Sequence, residues 1–340
     1  MLPGPASSQL GIAIGTLRAG YLGCVLAWFG FTLPSAVAMT AFALLTSNVA
    51  LTSAGWVEGL KLAAVAVVAQ AVIAMARALT PDIPRALMAG AAAIAMLVAP
   101  APSLQVLVIG VGGVLGWRVL RGSAPSAPRA SIATRMNARV GLGLLGLYAL
   151  LLVALPLSLR LVSSGVLAVI DAFYRAGALV FGGGHVVLPL LHEAVVTPGW
   201  ISEDRFLAGY GAGQAVPGPL STFAAYLGAG FSQAPNGVPG AVIALLAIFL
   251  PSFLLIWGAL PLWDRLRDSD RFAAALRGTN AAVVGILLAA LVTPIATSAL
   301  HEPAEAALAG AGLLALWTGR VPPIAVVAAF ALIAQVAGLT

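Results

Sequence analysis

Apolar residues run in long blocks along this 340-residue chain, and polar residues collect in the gaps between them. Blocks at about 20–45, 57–79, 84–99 and 104–120 precede a basic, Pro- and Ser-rich stretch, and one more follows at about 140–157. Four further blocks lie at about 239–262, 271–292, 303–319 and 321–338. A helix that crosses the hydrocarbon of a bilayer needs about 20 predominantly apolar residues. The pattern therefore predicts an all-α, polytopic integral membrane protein. Residues 1–16 are too short to cross.

The region 165–232 breaks this rhythm twice. Gly182, Gly183 and Gly184 lead into His185, and later Pro217-Gly218-Pro219 leads into Ser221 and Thr222. Glycines let backbone approach a bound group closely, and proline suits the first turn of a helix. Pro217–Ser232 reads as a half-helix that begins inside the membrane. Its N–H groups at 219–222 then face an anion.

The chain also repeats itself. Pro3-Gly4-Pro5-Ala6-Ser7-Ser8 resembles Pro217-Gly218-Pro219-Leu220-Ser221-Thr222, and Leu33-Pro34-Ser35 matches Leu250-Pro251-Ser252. Gly59-Leu60-Lys61 matches Gly278-Thr279-Asn280, and Ala89-Gly90-Ala91 with Pro102 matches Ala309-Gly310-Ala311 with Pro322. The loop at 46–56 has no Lys or Arg, whereas its counterpart carries Arg265, Arg267, Arg271 and Arg277. Conversely, Arg77 and Arg85 mark a loop whose counterpart at 293–305 has no Lys or Arg. Because basic residues mark cytoplasmic loops, this swap predicts two halves of opposite orientation, with 140–157 supplying the odd crossing. The expected division is a first repeat at 1–120, a basic linker and connecting span at 121–164, and a second repeat at 165–340. Broken helices in an inverted repeat point to a secondary transporter with its site near the midplane.

Composition sharpens the class. Charged residues make up 8% of the chain, against roughly a quarter in a soluble domain. Mean hydropathy is +1.04. The net charge of +6 comes from basic residues lying mostly between apolar blocks, which sets topology and does not indicate nucleic acid. Cys24 is the sole cysteine, so disulfide frameworks and cysteine-based metal sites are excluded. Pro3-Gly4-Pro5 follows the first residue closely, where a signal peptide would carry a charged segment.

With both motifs in view, the chain resembles the chromate ion transporter family in its two-domain form. The stretches that carry the likeness are Phe181-Gly182-Gly183-Gly184-His185, Gly199-Trp200 and Gly213-Gln214-Ala215-Val216-Pro217-Gly218-Pro219. Leu2-Pro3-Gly4-Pro5 through Leu17-Arg18-Ala19-Gly20 add to it. The likeness covers essentially the whole chain. It implies a bacterial inner-membrane protein that exports chromate and so confers resistance, working without a cofactor. The family pattern also places a Phe-Gly-Gly motif upstream of the first Pro-Gly-Pro, so this sequence reads as truncated or misassigned at its start.

Ionisable residues inside membrane spans are rare and mark functional candidates. Arg175 suits a tetrahedral oxyanion because a guanidinium donates through two N–H groups at once; the competing reading pairs it with Asp171, four residues earlier. Lys61, with Glu58 three residues before it, serves either the site or snorkels to the interface. Its counterpart Asn280 is neutral. His185 is a proton carrier or a structural hydrogen-bond donor. Ser7, Ser8, Ser221 and Thr222 offer hydroxyls that both line a site and cap their helices. Gln214 lines the site or bonds a loop. Gly182, Gly183 and Gly184 serve anion approach or helix packing. His192-Glu193 lacks the second histidine of a metalloprotease helix.

The expected substrate-binding set is thus Arg175, Gly182, Gly183, Gly184, His185, Gln214, Pro217, Gly218, Pro219, Ser221 and Thr222. From the first half come Pro3, Gly4, Pro5, Ser7, Ser8 and Lys61, with Asn280 from the second. Chromate is the expected substrate, with a sulfate transporter or exchanger as the rival, since sulfate has the same charge and shape. An intramembrane enzyme needs a nucleophile–base pair or a metal cluster at usable spacing, and the sequence offers neither. The expected partners are the oxyanion and the lipid bilayer, with a homodimer open to it and no nucleic acid.

Overall fold

The computed structural model describes residues 6–47, 55–120, 122, 137–181, 184–263, 266 and 269–337. Among the described residues there is no β-strand, and the helices follow the apolar blocks. The first half holds α1 (Ala6–Thr46), α2 (Gly55–Leu79), α3 (Ile83–Val98) and α4 (Pro102–Val119). Next come α5 (Ala138–Ser158), α6 (Gly165–Leu179), α7 (Gly184–Val196), α8 (Glu203–Ala215) and α9 (Leu220–Ala229). The chain closes with α10 (Gly237–Leu262), α11 (Asp270–Ala296), α12 (Pro303–Trp317) and α13 (Pro323–Ala337). Among the described residues, α1, α2, α5, α10 and α11 are long and apolar enough to cross a membrane. The protein is a multi-pass, all-α membrane protein.

The outer surface agrees with lipid as solvent. Leu45 is 79% exposed and Val98 is also 79% exposed, and many other large apolar side chains point outward from the helices. In water such a surface would aggregate, whereas in hydrocarbon it costs nothing. The connecting helix α5 buries little of itself and leans on α6 and α10.

Helix α1 is two helices joined by a break. Ala19 and Gly20 leave helical geometry, with Gly20 at φ +64°, a conformation that favours glycine. The chain folds back there: a Cβ on Gly15 would lie 2.7 Å from the Gly23 carbonyl oxygen. The short helix α9 returns onto α10 in the same manner, and a Cβ on Gly228 would lie 2.2 Å from the Gly240 carbonyl oxygen. Each fold thus places a half-helix against the span that follows it. Trp257 on α10 ties the two hairpins by donating to Thr16 Oγ1 at 3.1 Å.

The remaining long helices pack reciprocally. Helix α2 lies against α12 and α13, while α11 lies against α3 and α4. Matching glycines make the close approaches. Gly59 on α2 meets the Phe330 backbone of α13, and Gly278 on α11 meets the Gly112 and Gly116 backbone of α4. Seven residues further on, Ala66 touches Gly312 of α12, and Gly285 touches Ala89 and Ala92 of α3. Small residues at such crossings let helices gain dispersion contact where lipid supplies no hydrophobic drive.

Two ends of the bundle differ in chemistry. At one end Arg277 donates to the Leu120 carbonyl at 2.7 Å, and Arg77 lies 4.2 Å from the Trp317 ring centroid. At the other, Lys61 meets Asp204, and Arg205 donates to the Ser47 carbonyl at 2.7 Å.

The half-helix expected over Pro217–Ser232 is shorter than its sequence suggests. Helix begins only at Leu220 and ends at Ala229. Gly218 has φ +142° and Pro219 is extended, so the Pro-Gly-Pro segment is an approach strand to the helix and not its first turn.

Candidate functional site

The two breaks of the central region come together. The opening turn of α7, at Gly184 and His185, packs against the opening turn of α9, at Leu220–Thr222. A Cβ on Gly184 would meet Leu220 Cβ at 3.5 Å. Helices α1, α8 and α10 converge on the same turn, so the start of α9 is enclosed by protein. Gly218 lies against α1, where an added Cβ would meet Ser35 Oγ at 2.4 Å. Only glycine fits there, on grounds of both φ and space.

Ser221 and Thr222 are buried at this junction. The Thr222 hydroxyl donates to the Pro219 carbonyl at 2.9 Å, and the Thr222 N–H reaches the same oxygen at 2.9 Å. Both donors of Thr222 therefore close the turn. Pro219 has no N–H, so the expected row of open donors at 219–222 reduces to the N–H groups of Leu220 and Ser221. Among the described residues the Ser221 hydroxyl makes no hydrogen bond, which leaves it able to donate.

His185 is half-buried and its Nδ1 lies 2.7 Å from the hydroxyl of fully buried Tyr210. Tyr210 belongs to an aromatic column with Phe206, Phe223 and Tyr226 that holds α8 against α9. Gln214 lies in the last turn of α8, just before the Pro-Gly-Pro segment, and its Nε2 is buried without a partner. Asn280 is buried on α11, the helix that packs on α7, and its Oδ1 has no partner. Ser8 Oγ, at the start of the other half-helix, is likewise buried and unpaired. Unpaired buried polar atoms are uncommon in native proteins and call for an explanation such as a bound ion or water.

Other expected residues lie elsewhere. Arg175 forms an ion pair with Asp171 at 2.5 Å, and Asp171 is 2% exposed. The guanidinium lines a separate cavity of about 350 Å³ with Gln105, Leu190, Glu193 and Thr197, and no residue of the α7–α9 junction lines that cavity. Lys61 does not snorkel: it is 7% exposed and bridges Glu58 at 2.5 Å and Asp204 at 3.0 Å. Two carboxylates hold the ammonium inside because a lone buried cation is costly. His192 pairs with Glu203 at 2.6 Å, and not with its neighbour Glu193. Gly182, Gly183, Pro3, Gly4 and Pro5 lie outside the described residues, as does the side chain of Ser7.

Sequence reasoning missed Tyr210, Asp204 and Ser35. Tyr210 gives no local signal, Ser35 stood out only as part of the repeated Leu33-Pro34-Ser35 motif, and Asp204 reads as a helix N-terminal acid. Each acquires a role only through a partner distant in sequence.

The family model of chromate transporters matches residues 1–117 and 167–335 of this chain. The chain belongs to the chromate transporter family. The match skips the linker and connecting span, the stretch that separates the two halves. A chromate transport protein of Pseudomonas aeruginosa is 27% identical over 340 residues, covering 97% of this chain and 78% of that protein. A probable chromate transport protein of Synechococcus elongatus is 30% identical over 170 residues, or 49% of this chain and 40% of that protein. The chromate transport protein of Cupriavidus metallidurans is 30% identical over 167 residues, again 40% of its own length. The chain thus spans less than half of these latter two relatives. No solved structure matches it.

Proposed function

We propose that this chromate transporter family member is a secondary transporter that carries chromate out of the cytoplasm across a bacterial inner membrane and so gives resistance. The observation that carries this reading is the buried meeting of the α7 and α9 N-termini, with polar atoms left unpaired around it. Each helix N-terminus presents about half a positive charge, so two of them offset about one unit of a divalent anion. The N–H groups of Leu220 and Ser221, the Ser221 hydroxyl and the Gln214 amide add neutral donors. Asn280 on α11 belongs to the same half, and Ser8 opens the matching half-helix of the other, preceded in sequence by Pro3, Gly4 and Pro5. Enclosed donors already in position replace hydration water at little reorganisation cost.

In this reading the chain is two inverted repeats, 1–120 and 165–340, joined by 121–164. The reciprocal packing of α2 and α11 and the paired half-helix hairpins support it. The basic ends, with Arg77, Arg277 and the linker, face the cytoplasm, and the ends near residues 50 and 298 face the periplasm. Alternating access then arises from rocking one repeat against the other around the junction. His185, held by Tyr210, serves the junction as a hydrogen-bonding group.

The test is radiolabelled chromate flux in inside-out vesicles, with and without an imposed potential and pH gradient. Uptake above empty vesicles supports export, and inhibition by chromate but not by equimolar sulfate fixes the substrate. Sulfate that competes equally makes the protein a general divalent-oxyanion transporter. Absence of uptake under every gradient refutes the reading.

A further inference from the structure

A second site lies away from the α7–α9 junction, where the first turns of α2 and α12 meet. Glu58 from α2 and His301 and Glu305 from the start of α12 bring one ligand atom each within 4.8 Å of one another. Both carboxylates are buried, Glu58 at 7% exposure and Glu305 at 6%. His301 is 61% exposed on its side chain and gives the cluster its opening to solvent.

Ordinary structural duties account for half of these groups. One oxygen of Glu305 accepts the N–H groups of His301 and Glu302, at 2.6 and 2.9 Å, and so caps α12. One oxygen of Glu58 is held by Lys61. The other oxygen of Glu58 is buried and has no partner among the described residues. A buried carboxylate oxygen left without a donor is costly, and Glu58 shares its cluster with a second carboxylate and an imidazole.

Charge points the same way. Glu58, Glu305 and Asp204 contribute three negative charges and Lys61 one positive, so the cluster carries a net −2 with His301 neutral. Two close, buried carboxylates need a shared cation or proton between them. One imidazole nitrogen with two carboxylate oxygens is a donor set suited to a first-row divalent ion, and the open side toward His301 leaves room for water as a further ligand.

We infer that Glu58, His301 and Glu305 form a binding site for a divalent transition-metal cation of the zinc class. The ion ties the start of α2 to the start of α12 and neutralises the net charge of the cluster. The site is separate from the proposed chromate path and does not depend on it.

Zinc binding to the purified full-length protein in detergent, by titration calorimetry and by metal analysis after dialysis, tests this directly. Wild type is expected to bind one equivalent and to gain thermal stability with zinc. Glu58→Gln and His301→Ala are expected to weaken binding at least tenfold and to lose the zinc-dependent gain. His301 is exposed, so its variant keeps the fold even where Glu58→Gln does not. Glu305→Gln keeps an acceptor for the α12 cap and is expected to weaken binding as well. His192→Ala, which removes a histidine–glutamate pair elsewhere, is expected to bind zinc like wild type. No saturable binding by wild type overturns the inference, as does equal binding by wild type and His301→Ala, or loss of binding in His192→Ala.

Discussion

Helices α2 and α11, the counterparts in the proposed pair of repeats, handle charge in opposite ways. In both, a glycine makes the closest helix crossing: a Cβ on Gly59 would lie 2.2 Å from the Phe330 carbonyl oxygen, and one on Gly278 would lie 2.1 Å from that of Gly112. Around those glycines the side chains diverge. Glu58 and Lys61 on α2 form a buried ionic cluster with Asp204. The matching positions on α11 hold Arg277, which donates to a backbone carbonyl, and Asn280, whose Oδ1 is unpaired. The backbone crossing dictates the glycine at both places, while the charged neighbours answer to which end of the molecule they occupy.

The comparison breaks most visibly at Lys61. Lys61→Ala removes the cation shared by two carboxylates, and removing one partner of a buried pair costs about 3–5 kcal/mol. A large drop in the folded fraction on size-exclusion chromatography is expected. Asn280→Ala at the matching position is expected to change stability by only a few tenths of a kcal/mol, because no hydrogen bond is lost at Oδ1. Equal effects from the two substitutions would mean that the ionic cluster adds nothing.

The glycines sharpen the other side of the comparison. Gly59→Ala and Gly278→Ala are expected to destabilise by similar amounts, about 1–3 kcal/mol or more, since both force backbone apart. Gly310→Ala, where an added Cβ meets nothing within 4 Å, is the control and is expected to be neutral or slightly stabilising. Thermal melts in detergent compare all three.

Arg175 yields a smaller effect. Its side chain is 37% exposed, which screens the pair, but Asp171 is almost fully buried. Arg175→Ala is expected to lower the melting temperature, and Asp171→Asn in the same chain is expected to restore most of it. Failure of the double variant to recover, together with lost chromate flux, would give the guanidinium back to the anion.

The smallest expected effect lies at Asp82, which caps α3 by accepting the Arg85 N–H at 3.0 Å. The Arg85 side chain, hydrogen-bonded to the carboxylate, holds the Asp82 pKa below its usual value. A depressed folded pKa means stability that is present above the ordinary carboxylate range and is lost as pH falls through it. Acid melts of wild type and Asp82→Ala are therefore expected to converge at low pH and to differ slightly near neutrality.

Much of this fold was legible because hydrocarbon is an undemanding solvent: a run of apolar residues suffices to mark a helix. The prolines paired in sequence, Pro34 and Pro251, both lie inside long helices, α1 and α10, whereas the break at Ala19 and Gly20 was not read from the sequence. The extent of α9 did not, since sequence gives no sign that Gly218 takes φ +142° and holds Pro219 out of the helix. The Asp171–Arg175 pair was visible from its spacing of four. Glu58 was visible beside Lys61 in the same way, but its second partner was not, because Asp204 lies 143 residues away and only the packing of α2 on α8 joins them.

The central claim is that the anion meets the protein at the opening turn of α9, and Ser221 is the group that tests it. Chromate uptake into inside-out vesicles should be measured for wild type and Ser221→Ala at matched amounts of folded protein. A hydrogen bond to a charged group is worth about 1.5–3 kcal/mol, so apparent affinity is expected to fall roughly ten- to a hundredfold. Ser221→Ala transporting chromate with wild-type affinity and rate would contradict the account.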